Sequence, residues 1–319
     1  MTEPEAQPGA ERVAAVDCGT NSIRLLVADV GSGQLTDIAR RMEIVRLGQG
    51  VDKTGRLAPE ALDRMAAALR DYADIIARTG ARAVRMVATS ATRDADNSAE
   101  FVHRVKEILG VAPEVLTGDA EARLSFTGAT AELAGSGDDG PYLVTDIGGG
   151  STEFVLGSPA RPATHAISVD IGCVRMTERY LHADPPTAEQ IAAAVADIDA
   201  ALDSVEAAVP VRRASTLVGL AGSVATVAAI AMDLPEYDAA RLHHAQVGAA
   251  DVHAVASGLL GQTRAARAAI GVMHPGRVDV IGGGALVLDR VVQRFGFTQV
   301  LVSEHDILDG IAWSLAGAG

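Results

Sequence analysis

Residues 142–157 read YLVTDIGGGSTEFVLG: an apolar strand, an aspartate, a glycine turn and a second apolar strand. Residues 13–30, VAAVDCGTNSIRLLVADV, have the same build. Asp17, Gly19, Ser22 and the apolar positions 25–27 recur 129 residues later as Asp146, Gly148, Ser151 and apolar 154–156. One D-x-G is commonplace. The same eight-residue frame between paired strands, once in each half, marks a duplicated α/β domain. The fold class read from the chain is α/β, two equivalent domains with a cleft between them.

The flanking segments repeat in kind. The first hairpin continues through GSGQ (31–34) into TDIARRMEIVRLG (36–48), a hairpin and meander. Leu62, Met65, Leu69, Tyr72, Ile75 and Ile76 fall three or four apart, which predicts an amphipathic helix over 59–78. AVRMVAT (83–89) reads as a buried strand and 98–109 as a helix capped by Ser98. PEVLTG (113–118) reads as a short strand, Asp119 as the start of a helix towards Leu133, and GSGDDGP (135–141) as the linker. Past the second hairpin come a helix at 187–208, then a strand at 215–220, a turn at 221–223 and a helix to 232. RVDVIGGGALVLDRVV (277–292) reads as strand, glycine turn and helix, followed by a strand at 297–303 and a helix at 306–318. The expected division is a loose tail 1–12, an N-terminal domain 13–134 and a C-terminal domain 142–305. The last helix, 306–319, is free to complete the first domain.

Composition narrows the function classes. The chain has 319 residues, 48% of them apolar, enough for a sizeable core in about two domains. A net charge of −14 disfavours nucleic acid and anionic membrane surfaces as partners. Lys53 and Lys106 are the only lysines, so the positive charge is almost all arginine, whose fork suits phosphate. Cys18 and Cys173 form no disulfide framework or metal pattern, and the N-terminus carries no signal-peptide core. The uncharged run 214–232 is rich in small residues and broken by Gly219 and Gly222, so it reads as strand and buried helix rather than a membrane span. A cytoplasmic protein is expected. His243, His244, His253 and His274 lack the spacing of a helical metal motif, and His305-Asp306 is a lone dipeptide.

Glycine at a tight turn lets backbone N–H groups converge without Cβ atoms, and such nests hold anions. Two such loops, one per half, suit a phosphate chain. An aspartate ahead of each glycine suits Mg²⁺, which bridges carboxylate to phosphate through its waters.

The ordered motifs DCGTNSIRLLV (17–27), LGQGVDKTGRL (47–57), ATSATRDADN (88–97) and LTGDAEARLSFTG (116–128) continue with VTDIGGGSTEFVLG (144–157). SVDIGCVRMTE (168–178), LVGLAGSVATVAA (217–229) and SEHDILDG (303–310) complete the series. Over Val13–Ala316 the chain resembles the exopolyphosphatase/guanosine pentaphosphate phosphatase (Ppx/GppA) family of the actin–sugar kinase–Hsp70 superfamily. The resemblance implies two ribonuclease H-like, actin-like ATPase domains. It implies Mg²⁺- or Mn²⁺-dependent hydrolysis of a terminal phosphoanhydride, from polyphosphate or the 5′-phosphate of pppGpp, with guanosine tetraphosphate among the ligands and a homodimer as the assembly. Carried over by motif, Asp17, Gly19, Asn21, Ser22 and Arg24 form the first phosphate loop; Gly148, Gly149, Gly150 and Ser151 form the second. Arg93 becomes a substrate-phosphate arginine, Glu121 the catalytic base, Glu153 the second essential carboxylate, and Asp146 with Glu153 the metal ligands. Gly222, Ser223 and Arg277 fall where distal phosphates or nucleotide are met. Where family members often carry two acids before Ala-Arg, the first here is Ala120, leaving Glu121 for the role. The chain ends near 319 without the family's extra helical domains, so short polyphosphate is the expected preference. Two alternatives stay open: a non-catalytic alarmone or polyphosphate binder, and a kinase of the same superfamily. GDAEAR offers a glutamate suited to water rather than a kinase's aspartate base.

Overall fold

The computed structural model describes residues 10–31, 33–133, 140–159 and 163–316. In the first half, strands β1 (Glu11–Cys18), β2 (Ser22–Gly31) and β3 (Gln34–Ile44) lead into helices α1 (Val51–Thr54) and α2 (Pro59–Thr79). Then come β4 (Ala83–Ala88), α3 (Ser90–Arg93), α4 (Ser98–Leu109), β5 (Glu114–Val115) and α5 (Gly118–Thr130). The second half opens with β6 (Tyr142–Ile147), β7 (Thr152–Gly157), β8 (His165–Val169), α6 (Cys173–Tyr180) and α7 (Ala188–Ala208). It continues with β9 (Thr216–Leu220), α8 (Ala221–Ala231), α9 (Ala239–Leu242), β10 (Gln246–Gly248) and α10 (Ala249–Gly261). It closes with α11 (Arg264–Ala268), α12 (Ile281–Phe295), β11 (Gln299–Val302) and α13 (Ile307–Ala316).

Two compact units result. One takes the described residues up to Gly128 and from Ile307 onward; the other takes Ala129–Asp306. The first sheet has the order β3-β2-β1-β4-β5, with β1–β3 antiparallel and β4 and β5 parallel to β1. The second runs β8-β7-β6-β9-β11, with β10 added at its edge and the same strand directions. This is the ribonuclease H-like strand order twice over, the duplicated α/β fold read from the repeat and the actin-like class that the resemblance implies.

In the first unit, strand alternation sends Ala14, Val16, Ile23 and Leu25 to one face, against Leu62, Met65 and Leu69 of α2 and Phe101 of α4. Val13, Ala15, Leu26 and Ala28 face the other way, onto Ile307, Leu308 and Ile311 of α13. Both faces are covered, which is why β1 and β2 read as continuous apolar runs. Each buried Val, Leu, Ile, Met or Phe side chain contributes about 1.5–3 kcal/mol, and each alanine methyl less. A salt bridge from Arg40 on β3 to the buried Asp309, 2.5 Å long, fixes α13 further. In the second unit, Leu143, Phe154 and Leu217 of the sheet share a core with Ile198 and Leu202 of α7 and Leu286 of α12.

Several local expectations change. Residues 1–9 of the expected tail and 135–139 of the linker lie outside the described residues. Strand β1 already starts at Glu11, and the buried Arg12 makes a two-pronged pair with Asp29 directly opposite on β2. Ser98 is the first helical residue rather than the cap. Asn97 holds that position but spends its amide on the Leu57 backbone. The turn at 221–223 is the first turn of α8. No strand forms at 277–281: Arg277–Val280 are turns, and Gly282–Gly284 lie inside α12. A Cβ on Gly283 would sit 2.7 Å from the Cys173 carbonyl, and one on Gly284 would overlap the Ser223 side chain. Those glycines let three helices meet. The run 214–232 is strand and helix, and among the described residues no helix is long and apolar enough to cross a membrane.

Candidate functional site

In the first unit, Gly19 and Asn21 lie in the turn between β1 and β2, and Ser22 begins β2. The Gly19 N–H donates to the Ser22 carbonyl at 2.9 Å and closes the turn. The carbonyl of Thr20 accepts from Gly48 N–H, and that of Asn21 from Val45 and Arg46 N–H. Asp17 and Arg24 face each other in register, and the Arg24 guanidinium holds the buried Asp17 carboxylate at 2.7 Å. Thr20 Oγ1 and Ser90 Oγ, 2.8 Å apart, tie this turn to α3, whose last residue is Arg93. Arg93 Nη1 reaches the Leu116 carbonyl at 2.9 Å and Glu121 Oε2 at 3.0 Å. Glu121, in the first turn of α5, is only 7% exposed, so its carboxylate is held on a cation inside the protein.

The second unit repeats the turn chemistry. Gly148 N–H donates to the Ser151 carbonyl at 3.1 Å, the counterpart of the Gly19–Ser22 bond. All three glycine carbonyls are taken from behind by the start of α6. Gly148 accepts from Cys173 N–H, Gly149 from Val174 and Arg175 N–H, and Gly150 from Gly172 N–H. The buried Arg175 adds its Nε–H to the Gly150 carbonyl at 2.7 Å. The loop thereby caps the otherwise unpaired first N–H groups of α6. The N–H groups of Gly149 and Gly150 meet no acceptor among the described residues. They are the donors a phosphate needs. Gly172 is pressed flat on this loop: a Cβ there would overlap the Gly149 carbonyl and come within 2.5 Å of Gly150 N.

Asp146 and Glu153 are register partners on β6 and β7, 8% and 2% exposed. Glu153 Oε1 accepts from Ser168 Oγ at 2.6 Å, from directly across on β8. Two buried carboxylates side by side are hard oxygen donors of the kind Mg²⁺ or Mn²⁺ takes. Gly222 and Ser223 open α8, and the Arg277 guanidinium lies against Gly222, leaving no room for a Cβ. Arg277 Nη1 also approaches Thr226 Oγ1 at 3.4 Å. Burial pushes the Cys18 and Cys173 thiols above the ordinary range; neighbouring Asp17 adds to the effect at Cys18.

Within each unit, then, the expected residues fall into contiguous groups. The backing residues Gly48, Ser168, Gly172 and Arg175 had no role in the sequence analysis. For three of them the signal was there, in SVDIGCVRMTE, but a motif does not say that its backbone supports another loop.

These features define a class: a doubled ribonuclease H-like protein with one glycine hairpin loop per unit, each beside buried ionic groups. The chain belongs to the Ppx/GppA phosphatase family, which it matches over residues 26–317. It is 51% identical to the Mycobacterium tuberculosis protein named Exopolyphosphatase 2, over 96% of this chain and 99% of that one. A crystal structure described as an exopolyphosphatase-like protein matches with a TM-score of 0.94 and 44% identity, covering 97% and 98% of the two chains. The Aquifex aeolicus PPX-GPPA enzyme matches with a TM-score of 0.80 and 30% identity, covering 96% and 99%.

Proposed function

We propose that the protein is an exopolyphosphatase, releasing terminal phosphate from inorganic polyphosphate with a preference for short chains. The 5′-phosphate of pppGpp presents the same anhydride and is the second substrate. Two free, buried cysteines suit the reducing cytoplasm as the place of work. The name borne by the half-identical mycobacterial relative supports the substrate class. The observation that carries the chemistry is the buried Glu121 held by Arg93.

Catalysis of phosphoryl transfer is mostly positioning and electrostatics. Glu121 orients the attacking water and takes its proton, with Arg93 fixing the carboxylate. The Gly149 and Gly150 N–H groups, with Ser151, are the phosphate donors of the second unit; Gly19, Asn21 and Ser22 are those of the first. Arg24 and Asp17 keep that loop's charge balanced until substrate arrives. Gly222, Ser223 and Arg277 receive more distal phosphates. Asp146 and Glu153 would hold Mg²⁺ or Mn²⁺, and Ser168 keeps Glu153 in place. When bound, the ion supplies charge neutralisation on the phosphate oxygens.

The test is phosphate release from short and long polyphosphate, at equal concentrations of chain ends, and from pppGpp, each with Mg²⁺. Faster turnover of short chains is expected. Tight binding of all three without release would favour the non-catalytic binder instead.

A further inference from the structure

Three side chains distant in sequence meet in the second unit. Glu132 follows α5 in a short 3-10 turn, His243 follows α9, and His305 follows β11. His243 Nε2 lies 3.1 Å from Glu132 Oε2, and His305 Nδ1 lies 3.5 Å from the same oxygen. One ligand atom from each residue falls within 4.8 Å of the other two. Bonds of about 2.1 Å to a tetrahedral ion put its ligand atoms about 3.4 Å apart, and the two histidine-to-Glu132 distances, 3.1 and 3.5 Å, lie on either side of that value. Spacing along the chain gave no hint of it, because the ligands come from three separate loops.

We propose that Glu132, His243 and His305 form a binding site for a divalent transition-metal ion of the Zn²⁺ type, with water as the fourth ligand. Two imidazoles and a carboxylate suit Zn²⁺, whereas Mg²⁺ takes oxygen donors almost alone. The site is therefore chemically distinct from the carboxylate pair Asp146–Glu153. The side chains are accessible from solvent, at 21% for His243, 27% for His305 and 48% for Glu132. Without an ion, Glu304 N–H donates to His243 Nδ1 at 3.2 Å, so Nε2 carries the ring proton and gives it to Glu132. Loading moves that proton to Nδ1 and exchanges the Glu304 contact for a metal bond. His244 stacks on His243 with ring centres 3.8 Å apart.

The ion would join the segment that enters this unit at Ala129 to the one that leaves it at Asp306. An ion that binds only the folded state raises its stability. The experiment titrates tag-free, chelator-stripped full-length protein with Zn²⁺ by calorimetry and with Co²⁺ by visible absorption, alongside thermal melts. One equivalent should bind, give tetrahedral Co²⁺ bands and raise Tm. Glu132→Gln, at a half-exposed position that leaves the fold intact, and His305→Ala should each weaken binding at least tenfold; Asp146→Asn should not. Absence of binding, unchanged affinity in both site variants, or loss of the ion in Asp146→Asn would each overturn the proposal.

Discussion

Single residues are held here by partners whose removal has calculable effects. Ser168 donates to the almost fully buried Glu153 at 2.6 Å, a short bond to a charged acceptor. Ser168→Ala should lower kcat about tenfold, or 1.4 kcal/mol in the barrier, while Ser168→Thr retains most of it. Steady-state assays beside Tm measurements separate this from unfolding; equal loss in both variants would contradict the hydrogen-bond account. The cysteines give a pH prediction. Their thiol pKa values are raised in the folded chain, chiefly by burial. The unfolded chain loses these protons above about pH 8.5, where the folded chain keeps them. Their contribution is therefore fully present below that pH and declines as pH rises through the alkaline range. Urea midpoints at about pH 7 and about pH 10 should diverge more in wild type than in Cys18→Ala/Cys173→Ala. Folded protein should also resist a thiol reagent at neutral pH.

At the scale of elements, the Gly148–Gly150 loop and the start of α6 are one construction, each satisfying the other's backbone. Gly172→Ala forces a Cβ into the Gly149–Gly150 peptide, with backbone atoms that cannot yield. It should destabilise by about 1–3 kcal/mol and abolish most turnover. Gly258 in α10 has nothing within 4 Å of its would-be Cβ, so Gly258→Ala should stabilise by about 0.5–1 kcal/mol. Denaturant melts of the two variants check both signs. The paired hairpins were legible in sequence because two apolar strands around a D-x-G frame recur at one offset. The position of Glu121 in the first turn of a helix was likewise legible, with Asp119 marking the helix start. Short α6 was not: eight residues carry little periodicity, and its placement depends on loop carbonyls far from it in sequence. The glycines at 282–284 looked like a turn because glycine signals backbone freedom. Here they serve close packing inside a helix, against Cys173 and Ser223, which only the tertiary structure specifies.

At the scale of the whole molecule, the chain returns to its beginning: α13 covers the outer face of β1 and β2 and fastens there through Asp309 and Arg40. Arg40→Ala removes a cation from a 1%-exposed carboxylate, while Arg40 itself is about one-third exposed. The loss should be about 2–3 kcal/mol, tempered by solvent at the arginine, and should appear as a lower urea midpoint. The duplicated fold gives each unit a glycine-containing hairpin turn, and the central proposal is that Glu121 activates water. The decisive measurement is phosphate release from polyphosphate by Glu121→Gln, with binding followed in parallel. The amide keeps the size and the Arg93 contact's geometry but removes the base. Turnover should fall at least about a hundredfold, with binding retained or tightened as a negative charge beside a polyanion is lost. Near-normal turnover in Glu121→Gln would contradict the account and shift the base to Glu153.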